Sequence, residues 1–206
     1  MDNPHRITTI EALEKLYGAA NPNSLKKEVH FLHPHYRAFI EASPFAILAT
    51  SGPGGLDTSP KGDAPGFVAV EDEKTLLIPD RKGNNRLDGM RNLLTDARVS
   101  LIFLVPGVGE TLRVIGRADI SVDPALLARF AVNGKLPHSV LVVHIESVYF
   151  HCSKALVRSK LWDPRRFVER KSLPSAGDII SALTQGEVDA AKYDREAPAR
   201  LEKNLY

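Results

Sequence analysis

The densest potential chemistry in this 206-residue sequence lies in Asp80-Arg81-Lys82-Gly83-Asn84-Asn85-Arg86-Leu87-Asp88. Arg81, Lys82 and Arg86 place fixed positive charge within six residues. A guanidinium can grip a phosphate through two parallel hydrogen bonds. Gly83 permits close backbone approach, and a helix opening here would offer free N–H groups. These are the requirements of a phosphate site, although the stretch is neither a Walker loop nor G-x-G-x-x-G. It also reads as a polar strand-to-helix turn capped by Asn84 or Asn85.

Three further stretches carry chemistry. In Asp57-Thr58-Ser59-Pro60-Lys61-Gly62 a strand end presents hydroxyls and a cation to a flat polar ligand, or simply meets solvent. Gly109 to Arg117 opens a strand at Thr111 whose alternate positions include Arg113 and Arg117, the pattern of a half-exposed strand. Phe150 to Trp162 crosses from a strand into a short helix, where Lys154 and Arg158 share a face. Trp162 can stack on a ring or pack in the core. Cys152 reads as a small buried hydrophobe rather than a nucleophile. His33-Pro34-His35 lacks the further ligands a metal centre needs, so no metal is expected. Neither Ser51 nor Ser59 has a G-x-S-x-G context, and Lys26-Lys27 reads as a solvated helix face.

The elements that must position these residues fall into three segments. Residues 1–43 read as a helical extension. Thr8 or Thr9 can cap a helix carrying Ile10, Leu13, Leu16 and Tyr17, and a second pattern with Tyr36, Phe39 and Ile40 follows Pro34. Residues 44–163 are strand-rich. Runs at 45–50, 57–61, 67–70, 75–78, 99–105, 112–117 and 140–150 are separated by turns such as Gly52-Pro53-Gly54-Gly55. Two helices interrupt them near 85–94 and 124–132, the second with Asp123 as N-cap and Pro124 first. Residues 164–206 form a helical tail punctuated by Pro164, Pro174 and Pro198, which packs on the barrel or on a dimer partner. Hairpin-like connections with few crossover helices predict a mainly β protein with flanking helices, built as a closed or partly open antiparallel barrel.

Composition excludes several classes. Hydrophobic residues make up 43% and charged residues 25%, as in an ordinary globular protein. With 27 Lys+Arg against 25 Asp+Glu the net charge is +2, which makes no case for nucleic acid or a membrane surface as partner. The single cysteine excludes an intrachain disulfide framework and suits a reducing compartment. The start, Met1 to His5, lacks signal-peptide features, and no apolar run reaches the roughly 18 residues of a bilayer span. A cytoplasmic protein is expected.

Taken together, Thr58 to Asp63, Asp80 to Arg86 and Cys152 to Trp162 resemble the pyridoxamine 5′-phosphate oxidase-like, FMN-binding split-barrel family, and within it the bacterial "probable FMN-dependent enzyme" subgroup. The resemblance runs from about Ile40 to Trp162. It implies an antiparallel split barrel of Greek-key type, with FMN in a groove between the subunits of a homodimer. It implies that Thr58, Ser59, Pro60 and Lys61 lie beside the flavin ring. Asp80, Arg81, Lys82, Asn85 and Arg86 match the phosphate-binding stretch, with Arg86 foremost. Thr111 matches a ring contact from the partner, and Lys154, Arg158, Ser159 and Trp162 match the later contact.

The implied activity is hydride or electron transfer through FMN with a small-molecule electron donor or substrate. No catalytic side chain is identified. A non-catalytic flavin-binding protein, or a split barrel for haem or a deazaflavin, is the alternative. The true oxidases have an Arg-x-x-Leu-Leu-Lys strand, a Ser-Arg-Lys motif and a late Arg-x-His element. Here Leu56 to Lys61 and Asn84-Asn85-Arg86 stand in place of the first two, and nothing after Cys152 matches the third.

Overall fold

The computed structural model describes residues 5–206. Residues 1–4, on which much of the expectation about a leader rests, lie outside it. Thr9 caps α1 (Ile10–Tyr17) by accepting the Ala12 N–H at 3.2 Å. The four apolar side chains that mark this helix remain exposed, so its periodicity identifies a helix without a partner. Asn21 caps α2 (Pro22–Lys26), a short helix the periodicity does not show. His33 caps α3 (Pro34–Ala42), which buries Ile40 completely in the barrel core.

Seven strands follow: β1 (Phe45–Gly52), β2 (Gly55–Gly62), β3 (Ala69–Val70), β4 (Thr75–Asp80), β5 (Arg98–Leu104), β6 (Thr111–Ser121) and β7 (Ser139–His151). Short helices interrupt and follow them: α4 (Asp88–Leu93), α5 (Pro124–Arg129) and α6 (Lys154–Ser159). The tail adds α7 (Ala176–Leu183) and α8 (Ala190–Asn204). The strands form one antiparallel sheet in the order β2-β1-β5-β6-β7-β4-β3. A short turn joins β5 to β6 and a segment containing α5 joins β6 to β7, while β4 pairs with β7 and reaches β5 through a segment containing α4, a Greek-key arrangement.

Alternation selects the core. Ala46 and Leu48 of β1, Leu101 and Phe103 of β5, and Leu112 and Val114 of β6 are buried on one face. Leu76 and Ile78 of β4 close it from the other end of the sheet. At the bulge between Ile115 and Gly116 the β7 backbone comes so close that a Cβ on Gly116 would lie 2.1 Å from the His144 carbonyl oxygen. Only glycine fits there.

β2 and β3, the outer strands, do not pair with each other, so the barrel is split rather than closed. Pro60 is tolerated because β2 is an edge, where a missing N–H costs no ladder bond.

Several expectations need correction. The run at 67–70 yields only the pair Ala69–Val70 as strand, although Phe67 and Val68 are still buried. The helix expected over 85–94 begins at Asp88. Asn85 adopts φ 59°, and Asn84 Oδ1 accepts the Arg86 N–H at 3.0 Å, so these residues make a turn and neither caps a helix. The helix expected over 124–132 ends at Arg129. Pro198 lies inside α8 rather than ending it; it removes one N–H from the ladder. Cys152 is exposed, because β7 stops at His151 and the thiol falls in the turn before α6. Among the described residues no helix is long and apolar enough to cross a membrane, and no three His, Cys, Asp or Glu side chains gather as a metal site.

Candidate functional site

The split in the barrel opens into a cleft of about 1060 Å³. Thr58, Ser59, Pro60 and Lys61 of β2 line one wall. Asp80, at the end of β4, and Arg81, Lys82, Asn85 and Arg86, in the loop after it, line the other. Along β2 the half-buried positions are Asp57, Ser59 and Lys61, which share one face of the strand. α4 closes the far end. Buried Asn92 anchors it by donating to Thr50 Oγ1 at 3.2 Å and to the Gly55 carbonyl at 3.3 Å. Gly89 lets it lie close to β2, since a Cβ there would stand 2.7 Å from Asp57 Oδ2.

Ion pairs span the seam. Lys61 Nζ lies 2.6 Å from Asp80 Oδ1, with side-chain exposures of 20% and 17%. One bridge thus ties the edge strand to β4 where no backbone ladder does. Arg81 Nε donates to Asp63 Oδ2 at 3.1 Å, and its Nη1 donates to the Phe130 carbonyl at 2.5 Å. Arg86 pairs with Asp88 at 2.5 Å but is 80% exposed. The Asp88 hydrogen bond pushes its guanidinium further up. The candidate cations therefore differ in kind. Lys61 and Arg81 are committed to internal carboxylates, whereas Lys82 and Arg86 face solvent at the cleft rim. A Cβ on Gly83, between them, would meet nothing within 4 Å.

The tail reaches the same place. Tyr206 donates its hydroxyl to Asp63 Oδ1 at 2.7 Å, and its ring centroid lies 5.4 Å from the Arg81 guanidinium carbon. Lys135 Nζ donates to the Tyr206 carbonyl at 3.0 Å. Neither Asp63 nor Tyr206 is among the site residues that the sequence suggests. Tyr206 has no local signal, because it meets Arg81 only through the tertiary fold.

Burial pushes the Asp63 carboxyl up, but the Tyr206 hydroxyl, the Ala64 N–H and the Arg81 guanidinium outweigh it. They hold it below its ordinary 3.8. The folded value is therefore the lower one. Its stabilising contribution is complete above about pH 3.8 and is lost as pH falls through the depressed folded value. Melting temperatures of the wild type and Asp63→Asn across pH 3–7 check this. The wild type should be the more stable near neutrality, and the gap should close below about pH 3.8. A gap constant with pH would show that the carboxylate's charge is not what anchors the segment.

The remaining candidates lie elsewhere. Thr111 opens β6 opposite His151 and is buried. Lys154, Arg158 and Ser159 lie on α6, and Ser159 Oγ donates to the Leu156 carbonyl at 3.1 Å. Trp162 is half-buried, its indole N–H donating to the Val108 carbonyl at 2.8 Å. Gly109, in the same turn, packs against Ser153. These residues gather around the β5–β6 turn and the end of β7, and none of them lines the cleft. Beside them is a cluster the sequence does not announce. Arg113 Nη1 donates to the Tyr149 hydroxyl at 2.5 Å, and Lys27 Nζ stands 4.5 Å from the Phe150 ring centroid. Burial, then the charges of Arg113 and Lys27, push the His151 imidazole below its ordinary 6.5.

Residues 32–152 match the family model described as pyridoxamine 5′-phosphate oxidase. The chain belongs to this family. The match takes in the whole seven-stranded sheet, while α1, α2 and the tail lie outside it. Among solved structures, HupZ of Group A Streptococcus is 17% identical. It covers 56% of this chain and 90% of its own, with a TM-score of 0.47. A putative pyridoxamine 5′-phosphate oxidase from Lactobacillus delbrueckii is 18% identical, with coverage of 59% and 95% and a TM-score of 0.46. A protein described as F420 reductase is 19% identical, covering 58% and 98%, with a TM-score of 0.41. Likenesses this distant carry nothing about ligand or activity. No curated protein matches the chain.

Proposed function

We propose that the cleft holds FMN and that the protein is an FMN-dependent oxidoreductase working as a homodimer in the cytoplasm. The observation that carries this reading is the convergence of two distant stretches, 58–61 and 80–86, on one cleft with solvent-facing cations at its rim. Its volume, about 1060 Å³, is at the upper end of small-molecule sites and suits a mononucleotide. The donor set fits. Lys82 and Arg86 can hold a phosphate, and the β2 wall offers hydroxyls and the Asp80-tethered Lys61 to a flat polar ring. FMN supplies the hydride or electron transfer when bound; the protein supplies orientation and charge. Lys61, its charge already met by Asp80, would offer its remaining N–H donors to the ring edge it meets.

Membership of the pyridoxamine 5′-phosphate oxidase family supports the reading. The homodimer accounts for the candidates outside the cleft. Thr111, Lys154, Arg158, Ser159 and Trp162 do not line it within one chain, and a second copy would bring its own set to the rim. The electron donor is a small molecule, for which a reduced nicotinamide is the first probe. A non-catalytic flavin carrier would bind FMN yet stay yellow on anaerobic mixing with NADH or NADPH.

The test is an absorbance spectrum of protein purified without added cofactor, mass identification of whatever heating releases, and a size measurement in solution. FMN bands and a mass about twice the 22.6 kDa chain are the expected result. A colourless protein that takes up no FMN overturns the flavin assignment, and haem or deazaflavin bands would replace it. A flavin-loaded monomer overturns the shared site.

A further inference from the structure

We infer that the tail ending at Leu205 and Tyr206 is a strap that latches across the FMN cleft and gates exchange of its ligand; the gating rests on the flavin reading, the latch does not. Tyr206 and Leu205 both line the cleft, on the side of Asp63 and Arg81. The latch has three parts. The Tyr206 hydroxyl donates to Asp63, the Tyr206 ring lies against the Arg81 guanidinium, and Lys135 donates to the Tyr206 carbonyl. Asp63 is a shared hub. Its two carboxylate oxygens receive Arg81 Nε, the Tyr206 hydroxyl and the Ala64 N–H. Arg81, 18% exposed, is thereby held on protein partners, so a cation expected to grip phosphate instead grips the strap.

The segment leading to the latch is built to move as a unit. α7 and α8 pack on one another. The Gly177 N–H donates to Asp194 Oδ1 at 2.8 Å, and a Cβ on Gly177 would stand 2.4 Å from the Ala190 carbonyl oxygen. Yet α8 buries none of its residues, and Leu183, Leu201 and Leu205 are more than half exposed. A helix pair with so little buried apolar surface has a low local opening cost, and a few polar contacts at its tip decide whether it is docked. Opening would uncover the Arg81 side of the cleft without breaking a ladder of the sheet, since the tail pairs with no strand.

The experiment compares the wild type with Tyr206→Ala and Tyr206→Phe, the second keeping the ring over Arg81 but losing the bond to Asp63. Phenylglyoxal labelling of Arg81, read by mass spectrometry, reports the latch without any cofactor. Labelling should speed up about tenfold in Tyr206→Ala and less in Tyr206→Phe. Stopped-flow FMN binding reports the gate. Association and dissociation should both accelerate about tenfold in Tyr206→Ala, with the dissociation constant changed far less. Unchanged Arg81 labelling overturns the latch. Faster dissociation with unchanged association overturns the gate, since Tyr206 would then be a ligand contact. A wild type that binds no FMN overturns the flavin reading and the gate with it, while the labelling still decides the latch. Should Tyr206→Ala fail to fold, Tyr206→Phe decides the latch and gate by the same two readouts.

Discussion

Replacing Lys82 and Arg86 together by alanine is expected to weaken FMN binding about 100-fold, with little change in melting temperature. The choice of residues follows from what each cation is already doing. Arg81 is mostly buried and held by Asp63, Phe130 and Tyr206. Lys61 is tied to Asp80. Withdrawing either would leave a carboxylate without its cation. Arg86 pairs only at the surface, 80% exposed, where water screens an ion pair to little net effect. Exchanging Asp88 for a phosphate costs little there. Lys82 stands in the same exposed rim. A charge-assisted bond to phosphate at such a rim is worth roughly tenfold in affinity, so two of them give the expected factor. Isothermal titration with FMN checks the figure. A change under about threefold would move the phosphate away from the 82–86 loop.

Phe103→Ala is expected to destabilise the fold by about 3–5 kcal/mol, a large part of the roughly 5–15 kcal/mol of a typical domain. Phe103 is 1% exposed, on β5 in the interior of the sheet. It lies opposite Ala46 of β1 on one side and Leu112 of β6 on the other. The small Ala46 beside it cannot fill the space the ring would leave, so the cavity should persist. Urea unfolding monitored by circular dichroism measures the loss. A loss below about 1.5 kcal/mol would mean that the sheet collapses onto the site and the core is less tightly packed than the burial indicates.

Much of the fold is legible because it is written in local periodicity. The short apolar run from Phe45 to Thr50, ending at a glycine-rich turn, and the two-residue alternation from Leu112 to Arg117 both signal strands, and both runs are strands. Thr9, one of the two threonines able to cap α1, and Asp123, the expected cap of α5, both cap their helices, because an N-cap needs only a side-chain oxygen beside its own backbone. The boundary near Asn85 is harder to read. Asn serves equally as a cap and as a left-handed turn residue, and here the turn wins.

The candidate site divides along the same line. Residue types alone bring Thr58 to Lys61 and Asp80 to Arg86 into consideration, and both stretches line the cleft. Which cation is free, and which is spent on a carboxylate, is not a property of either stretch. It depends on how far the sheet curls to carry β2 toward β4 and on where the tail returns. Lys61 meets Asp80 and Tyr206 meets Asp63 across gaps that no sequence period spans. The exposed stripe of α1 teaches the same lesson in reverse: apolar spacing reports a helix, not what covers it. The sequence by itself determined the strands, the turns and the inventory of polar groups, since backbone geometry is local. The tertiary structure alone decided their pairing, since electrostatics and packing act through space.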